Sequence, residues 1–462
     1  MKGVHKFGLM ILAGLTLSGA GCTGGGGSTT GGNTTGTGTT GATTGTTNGA
    51  KVDTGESINI AVFQGGYGID FFQKSANEWM DKTGTAANLE GNPRIWDQLR
   101  PQFVSGDVPD ITWPGWGMDY WGLVYDDQLM DLNEALDSPP YGQTEGKWRD
   151  AFDPGLLKLG QYEGKQYMLP FHININGWWY NKKVFDANGW TPPKTFDELL
   201  ALNDKIKAKG LAPITYQGKY PYYMLYGFIY AWTVSDGGES AWKACQNMEE
   251  GAWKSPSVLK AAQMVETLRK RGDFMKGSAG LDHTTSQLEF LKGKAVMIPC
   301  GTWLYSEMEN VMPKGTQIEF MLPPTVAGGQ GDPGAVLVAT EPFVVPAKAK
   351  NPVGGIDYYK YITTPEKAKE FVEAKGTLMG IKVADGAKYP PHLVTPAKLF
   401  GEAKYKWNAE FRTWYKDFAS KAESLMSKLL DGRITPQEFC DQMEGLAKAL
   451  RNDASIIKHK VE

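Results

Sequence analysis

Cysteine is scarce, with four residues in 462, at positions 22, 245, 300 and 440. No pair has C-x-x-C or another metal-ligand spacing, and so few thiols cannot staple a fold of this length, so a zinc module and a disulfide scaffold are both excluded. With Cys22 set aside, an odd number remains, which allows at most one disulfide and favours buried free thiols. Histidine is also rare: five, scattered, with no H-E-x-x-H, and no G-x-S-x-G accompanies them. Neither charge sign is in excess. Lys and Arg number 48, Asp and Glu 51, for a net charge of -3 and a sequence pI near 6.1. That balance lacks the basic footprint of a nucleic-acid partner. These shortages lead to the expectation of no metal, no cofactor and no catalytic residue.

What is abundant is aromatic surface: 15 Trp, 20 Tyr and 19 Phe. A large aromatic core accounts for many of them, and a cleft for flat, half-apolar ligands accounts for others. The chain is too long for one ordinary core, so two domains are the default.

The single long apolar run is at the front. MKGVHKFGLMILAGLTLSGAGC carries Lys2, His5 and Lys6, then apolar residues from Phe7 to Leu17, then small residues and Cys22. This is the layout of an export signal (1–21), and the run is short for a membrane span. A cysteine after small residues resembles the bacterial lipobox, which implies lipidation of Cys22, although Gly19 stands where that motif prefers Leu. The alternative is plain cleavage near Ala20 with a free Cys22. From Thr23 to Ala50 every residue is Gly, Thr, Ser, Asn or Ala. Residues 22–55 therefore read as a lipidated Cys and a flexible tether with a reach of roughly 30 Å. Its GTGTTG (36–41) matches G-x-G-x-x-G, but no strand precedes it and no helix follows, so a dinucleotide site is rejected.

Beyond the tether, elements alternate. SINIAVF (57–63) reads as a strand. Residues 68–84 read as an amphipathic helix burying Phe72, Ala76, Trp79 and Met80 and stopping at Gly84. IWDQLRPQFVSGD leads into the strand PDITW. This β-α-β-α order predicts a parallel sheet covered by helices. Thr195 with Glu198 forms a capping signal for 195–210, Ser255 and Pro256 start another helix, and AVMIPC is a strand before GTWLYSEM. GAVLVATEPFVVPAKAKNP carries two short apolar runs. The last hundred residues are mainly helical. DGRITPQE (431–438) imitates half an EF-hand loop, but Leu429 would have to be a ligand, so Thr435, Pro436 and Glu438 are read as a helix start.

HININGWWY (172–180), read as a strand, separates Ile173, Ile175, Gly177 and Trp179 from Asn174, Asn176, Trp178 and Tyr180. The first set suits a packed face. The second mixes amides with rings, the pairing that recognises sugars: planar groups for hydroxyls, aromatic planes for pyranose faces. Trp178 and Asn174 are thus expected to face a cleft, and packing is the competing reading. Tyr67 in FQGGYG, Trp113, Trp116 and Asp119 in TWPGWGMDYW, and Trp303 in CGTWLY all stand in loops that follow strands, where open α/β sheets bind ligands. Each lone loop Trp is equally suited to plugging a gap between helix and sheet.

LPFHININGWWYNKKVFDANGWTPPKTFDELLALNDKIKAKG resembles the extracellular solute-binding proteins of carbohydrate ABC transporters. VSGDVPDITW, FLKGKAVMIPCGTWL, EPFVVPAKAKNPVGGIDYYKYITTPEKAKEF and DGRITPQEF follow in the family's order, so the resemblance spans about residues 56–455. QGKYPYYM and HTTSQLEFLKGKAVMIPCGTWLYSEM are most similar to the branch that binds N-acetylglucosamine and chitobiose. The resemblance implies an α/β, two-lobe periplasmic-binding-protein-like fold of type II with a ligand cleft between the lobes. It implies lobe 1 from 56–172 plus about 340–390, lobe 2 from 173–339 plus about 391–455, and crossings at Pro170–Asn174 and Val336–Glu341. It assigns Tyr67 and the Trp113–Trp116 loop to lobe 1, Asn174 to the crossing and Trp303 to lobe 2, and it adds Tyr222, Tyr223 and Trp414. Where the family often has a cleft carboxylate, this chain has Asn174.

The implied function is capture of a mono- or oligosaccharide outside the cytoplasm, by a lipid-anchored monomer, for delivery to an ABC permease. No catalytic role is expected. Two other classes share the aromatic signal: a secreted glycoside hydrolase, which needs two carboxylates across the scissile bond, and a surface carbohydrate-adhesion module, which needs no paired crossings.

Overall fold

The computed structural model describes residues 53–65 and 67–461. The export signal, Cys22 and nearly all of the tether lie outside the described residues. Three strands open the fold: β1 (Ser57–Phe63), β2 (Ala86–Asn92) and β3 (Ile111–Trp113). They pair in the order β2-β1-β3, both ladders parallel. β1 sits in the middle because its side chains are apolar on both faces over Ile60, Ala61 and Val62, all buried. Helix α1 (Asp70–Thr83) follows it. Phe71, Phe72, Ser75, Ala76 and Trp79 are buried at helical spacing, Met80 is half-buried, and Gly84 ends the helix in the left-handed region at φ 81°.

A short hairpin, β4 (Gln161–Tyr162) and β5 (Lys165–Gln166), leads into β6 (Leu169–Asn181), whose thirteen residues are all buried. β7 (Ala212–Ile214), β8 (Ala295–Gly301), β9 (Ile318–Met321), β10 (Val336–Phe343), β11 (Leu378–Met379) and β12 (Lys406–Trp407) complete a seven-stranded sheet in the order β12-β10-β6-β8-β7, with β9 and β11 also on β6. The small sheet β2-β1-β3 is the parallel one that the alternation of residues 57–113 predicts, whereas the seven-stranded sheet is mixed. All four partners of β6 run antiparallel to it, and only β7 with β8 and β10 with β12 are parallel. β6 outruns any one neighbour, so its first half takes β10 and β11 and its second half β8 and β9.

The apolar side chains gather accordingly. One cluster packs Ile58, Ile60, Phe72, Trp79 and Trp113 with Phe171, Phe343, Tyr358, Tyr359 and Phe371. A larger one joins residues of 173–338 to Trp407, Phe411, Phe418 and Met443 from the helical end of the chain. A third lies on the other face of the small sheet, around Ala61, Trp96, Leu99, Trp121 and Val344. Strand β10 takes the first apolar run expected after Gly334 and ends at Phe343, and the second run continues to Val344, which bridges Thr112 of β3. Thr435 and Glu438 form the full reciprocal capping box of helix Pro436–Asn452, which accounts for the EF-hand-like stretch. Thr195 caps helix Phe196–Ala208 through the Glu198 N–H. Ser255 starts helix Pro256–Lys270 by position only, since its hydroxyl makes no capping bond. Cys245, Cys300 and Cys440 are buried free thiols. Among the described residues, no helix is long and apolar enough to cross a membrane.

Trp178 and Trp179 point to opposite faces of β6, yet both are fully buried. The Trp178 N–H donates to the Gly227 carbonyl at 3.1 Å and its ring meets Phe228 edge-on. The Trp179 N–H donates to the Gly301 carbonyl at 2.9 Å, and its ring meets Phe320. Trp178→Ala is expected to lower unfolding stability by about 3–5 kcal/mol through the cavity and the orphaned carbonyl, read as a lower denaturation midpoint in urea.

Candidate functional site

Trp178 is the clearest correction to the sequence reading. Period two does place it on the face of Asn174, but the helical stretch from Tyr222 to Tyr230 covers that face beyond Asn176 and takes the indole into the core. Further along the same strand the cover ends, and there Asn174 becomes the centre of a junction. Its Oδ1 accepts a hydrogen bond from the Tyr67 hydroxyl at 3.0 Å and from Thr302 Oγ1 at 3.3 Å. Thr302 Oγ1 in turn accepts from the Ile175 N–H at 3.2 Å. The turn after β1, the middle of β6 and the end of β8 thus meet at one amide.

A row of side chains continues from Tyr67. The His172 ring meets Tyr67 edge-on at 5.1 Å and Trp113 edge-on at 5.0 Å. Burial pulls the His172 pKa down to about 4, so it is neutral and packs as a ring. Trp113 is itself buried, and its N–H donates to Glu341 Oε2 at 3.1 Å. The ring is therefore a support for a carboxylate rather than an open platform. Glu341 sits where the β10–β6 register shifts: Thr340 pairs with Ile173 and Pro342 with Pro170, so one residue stands opposite two. Such a bulge re-aims a side chain. Burial raises the Glu341 pKa to about 7, opposed by the Trp113 bond.

A second group of side chains is aromatic. Tyr222 stacks on Tyr223 at 4.3 Å, and Trp303 lies 6.0 Å from Tyr223. Trp303 is half-buried, and its ring folds back over Gly301, where a Cβ would collide with it. The Arg412 guanidinium lies 4.2 Å over Tyr222 and 5.6 Å from Tyr226, and pairs with Glu423 at 3.3 Å. Burial holds the Tyr222 and Tyr223 hydroxyls well above the usual phenol range, so both are neutral donors. Glu307 accepts from the Gln287 amide at 2.8 Å.

Tyr67, Trp113 and Asn174 are thus brought together, and Trp303, Tyr222 and Tyr223 form a second group joined to them through Thr302. The other three named residues stand apart. Trp116 is 70% exposed and leans on Trp96 at 4.9 Å. Asp119 pairs with Lys416 at 3.2 Å. Trp414 stacks on His459 at 4.9 Å. Glu341, His172 and Arg412 were missed in the sequence. Glu341 had a signal: it is the lone carboxylate within AVLVATEPFVV. Arg412 had none.

Rings, an amide, a carboxyl and a guanidinium suit a polar ligand with apolar faces. Among the described residues, no three His, Cys, Asp or Glu side chains are grouped to hold a metal. Glu341 also generates a pH prediction. A carboxyl whose folded pKa is raised binds its proton more tightly folded than unfolded, so its stability contribution is full below about 4.5 and is lost as pH rises through about 7. Glu410, likewise raised to about 7 by burial, adds to the same slope. Glu341→Gln is expected to flatten the decline between pH 5 and 7.5 by about 1–3 kcal/mol, measured as urea midpoints across pH.

Comparison with known proteins gives this arrangement its context. The family profile described as bacterial extracellular solute-binding protein matches residues 74–391. The diacetylchitobiose binding protein NgcE of Streptomyces coelicolor is 28% identical over 421 residues, covering 88% of this chain and 87% of its own. A solved chitin oligosaccharide binding protein superposes with a TM-score of 0.66 at 21% identity, over 82% of this chain and 94% of its own. A structure from work on xylan utilization by Caldanaerobius polysaccharolyticus gives a TM-score of 0.70 at 20% identity, over 84% and 99%. The family match, covering well over half the sequence, and the shared two-lobe fold leave one conclusion: the chain belongs to the bacterial extracellular solute-binding proteins.

Proposed function

We propose that this protein captures diacetylchitobiose or a short N-acetylglucosamine oligosaccharide and delivers it to an ABC permease. The observation that carries this is the junction at Asn174, where the Tyr67 hydroxyl, the Thr302 hydroxyl and the amide converge between Glu341 and the Tyr222–Tyr223–Trp303 wall. An N-acetylated sugar asks for such a set. Its pyranose faces pack on rings, its hydroxyls need planar donors and acceptors, and its acetamido N–H needs an acceptor such as the Glu341 carboxyl. The 28% identity to a diacetylchitobiose binding protein supports the same ligand class.

In this reading, lobe 1 comprises 56–172 and about 340–390, and lobe 2 comprises 173–339 and about 391–455. The separation of the apolar clusters near Phe171 and again near Val338 and Phe343 supports those limits. Trp116, largely exposed, is available to a longer oligosaccharide, whereas Asp119 is held by Lys416. Cys22 carries the lipid, the tether lets a monomer work just off the membrane, and the sugar is handed on unchanged.

Thermal-shift and calorimetric titration with N-acetylglucosamine, diacetylchitobiose, chitotriose, maltose and xylobiose tests the ligand class. Diacetylchitobiose or chitotriose is expected to bind and to be recovered intact by chromatography. Binding of maltose or xylobiose alone defeats the assignment, and release of monosaccharide points to a hydrolase instead. Trp303→Ala is expected to weaken binding about thirtyfold, the loss of one aromatic anchor worth about 2 kcal/mol. Unchanged affinity with a lowered melting temperature would make Trp303 a packing residue. For the anchor, Cys22→Ala is expected to move the protein from membranes to the soluble exported fraction, as followed by fractionation and immunoblotting.

A further inference from the structure

The segment 453–461, after the last helix, makes contacts that neither ligand capture nor either lobe's own core requires. Asp453 turns the chain by accepting from the Ser455 N–H at 2.9 Å and the Ser455 hydroxyl at 2.6 Å. Ile456 and Ile457 are partly exposed, but His459 is only 9% exposed. Its ring stacks on Trp414 at 4.9 Å and 22°, and it lies 5.2 Å from Trp121, 5.3 Å from Tyr125 and 5.6 Å from Tyr162. Its backbone N–H donates to the Tyr415 hydroxyl at 2.7 Å. Two residues on, the backbone of Val461 is held by both ends of the Asn247 amide, at 2.7 and 3.1 Å.

These partners come from opposite sides. Trp121, Tyr125 and Tyr162 pack with Ala61 and Trp96 around the small sheet. Tyr415 packs with the large sheet's cluster, and Asn247 follows helix Ala231–Gln246 on that same side. The seam that His459 enters is otherwise bridged by the Trp121 N–H to Thr413 Oγ1 at 3.2 Å and by Lys416 to Asp119 at 3.2 Å. Taking the lobe limits proposed above, we propose that residues 453–461 form a strap, a non-covalent bridge in addition to the chain crossings, that is anchored on lobe 2 at Asn247 and inserts His459 against lobe 1, holding the lobes in the arrangement seen.

The chemistry of the contact suits a joint that comes apart. The hold on lobe 2 is directional, with three hydrogen bonds from Tyr415 and Asn247. The hold on lobe 1 is ring packing alone, and His459 Nε2, Trp414 Nε1 and Tyr125 Oη are buried there without hydrogen-bond partners among the described residues. Buried polar atoms left unpaired cost free energy in the docked state and regain water when the seam opens. A contact present in only one arrangement biases the equilibrium toward that arrangement, whatever the ligand. The strap is thus a releasable restraint on lobe opening.

Spin labels test this in the full chain carrying Cys22→Ser, placed at Val104→Cys and Val311→Cys, which are 82% and 57% exposed on the two sides. Pulsed electron resonance reads the distance between them without added sugar. His459→Ala is expected to shift the distance distribution to longer and broader values than His459 gives, with a larger radius of gyration in small-angle scattering. Asn247→Ala, which frees Val461 without removing a ring from the seam, is expected to act in the same direction, and it carries the test alone if His459→Ala does not fold. Distributions unchanged from the parent overturn the strap, as does a shift to shorter distances.

Discussion

Everything in this molecule hangs on β6. Thirteen consecutive buried residues pair with four antiparallel neighbours, β10 and β11 on the first half and β8 and β9 on the second. A strand buried on both faces must be apolar nearly throughout or have its polar groups satisfied. Phe171, Ile173, Ile175, Trp178 and Trp179 meet the first condition. Asn174, whose Oδ1 accepts from two hydroxyls, meets the second. Asn174 is therefore a structural residue whatever else it contacts. It can stand in the sheet only because Tyr67 from one side and Thr302 from the other reach it.

That coupling ties the turn after β1 to the end of β8 through β6. Tyr67 is carried by the turn after β1 and Thr302 by the end of β8, so any relative motion of the two sides changes the bonds at Asn174. Glu341 lies on the second crossing strand, displaced by its bulge and steadied by Trp113. A carboxyl whose pKa burial raises and a hydrogen-bonded junction thus sit on two paired strands, β10 and β6. The contacts of His459 lie on the same seam, distant in sequence from both crossings.

Much of this was legible in the sequence. The period of α1, the stop at Gly84 and the capping box at Thr435 depend on neighbours a few residues away, and the structure has them as expected. Family resemblance also marked the middle of β6, where Asn174 accepts from Tyr67 and Thr302. Trp178 was misread because strand periodicity assigns a side chain to a face and says nothing of what covers that face. The stretch 222–230, about fifty residues later, buries it. Trp113 was named for its ring, and its use is its N–H. Glu341 was named only as the end of the stretch Val336–Glu341, because its partner, the Trp113 N–H, lies 228 residues away in the chain.

The sequence alone determined the local elements, the shortage of thiols and histidines, the aromatic richness and the motif order that marks the family. These follow from spacing, propensity and composition, which act over a few residues or over none in particular. Only the tertiary structure decided which rings are fully buried, that a second, larger and mixed sheet stands beside the parallel one, and that His172, Glu341 and Arg412 lie beside the named residues. Those outcomes rest on contacts between segments tens to hundreds of residues apart, such as Trp113 with Glu341 or Trp121 with His459. Burial and hydrogen-bond partnership across such separations are properties of packing, and no local pattern encodes them.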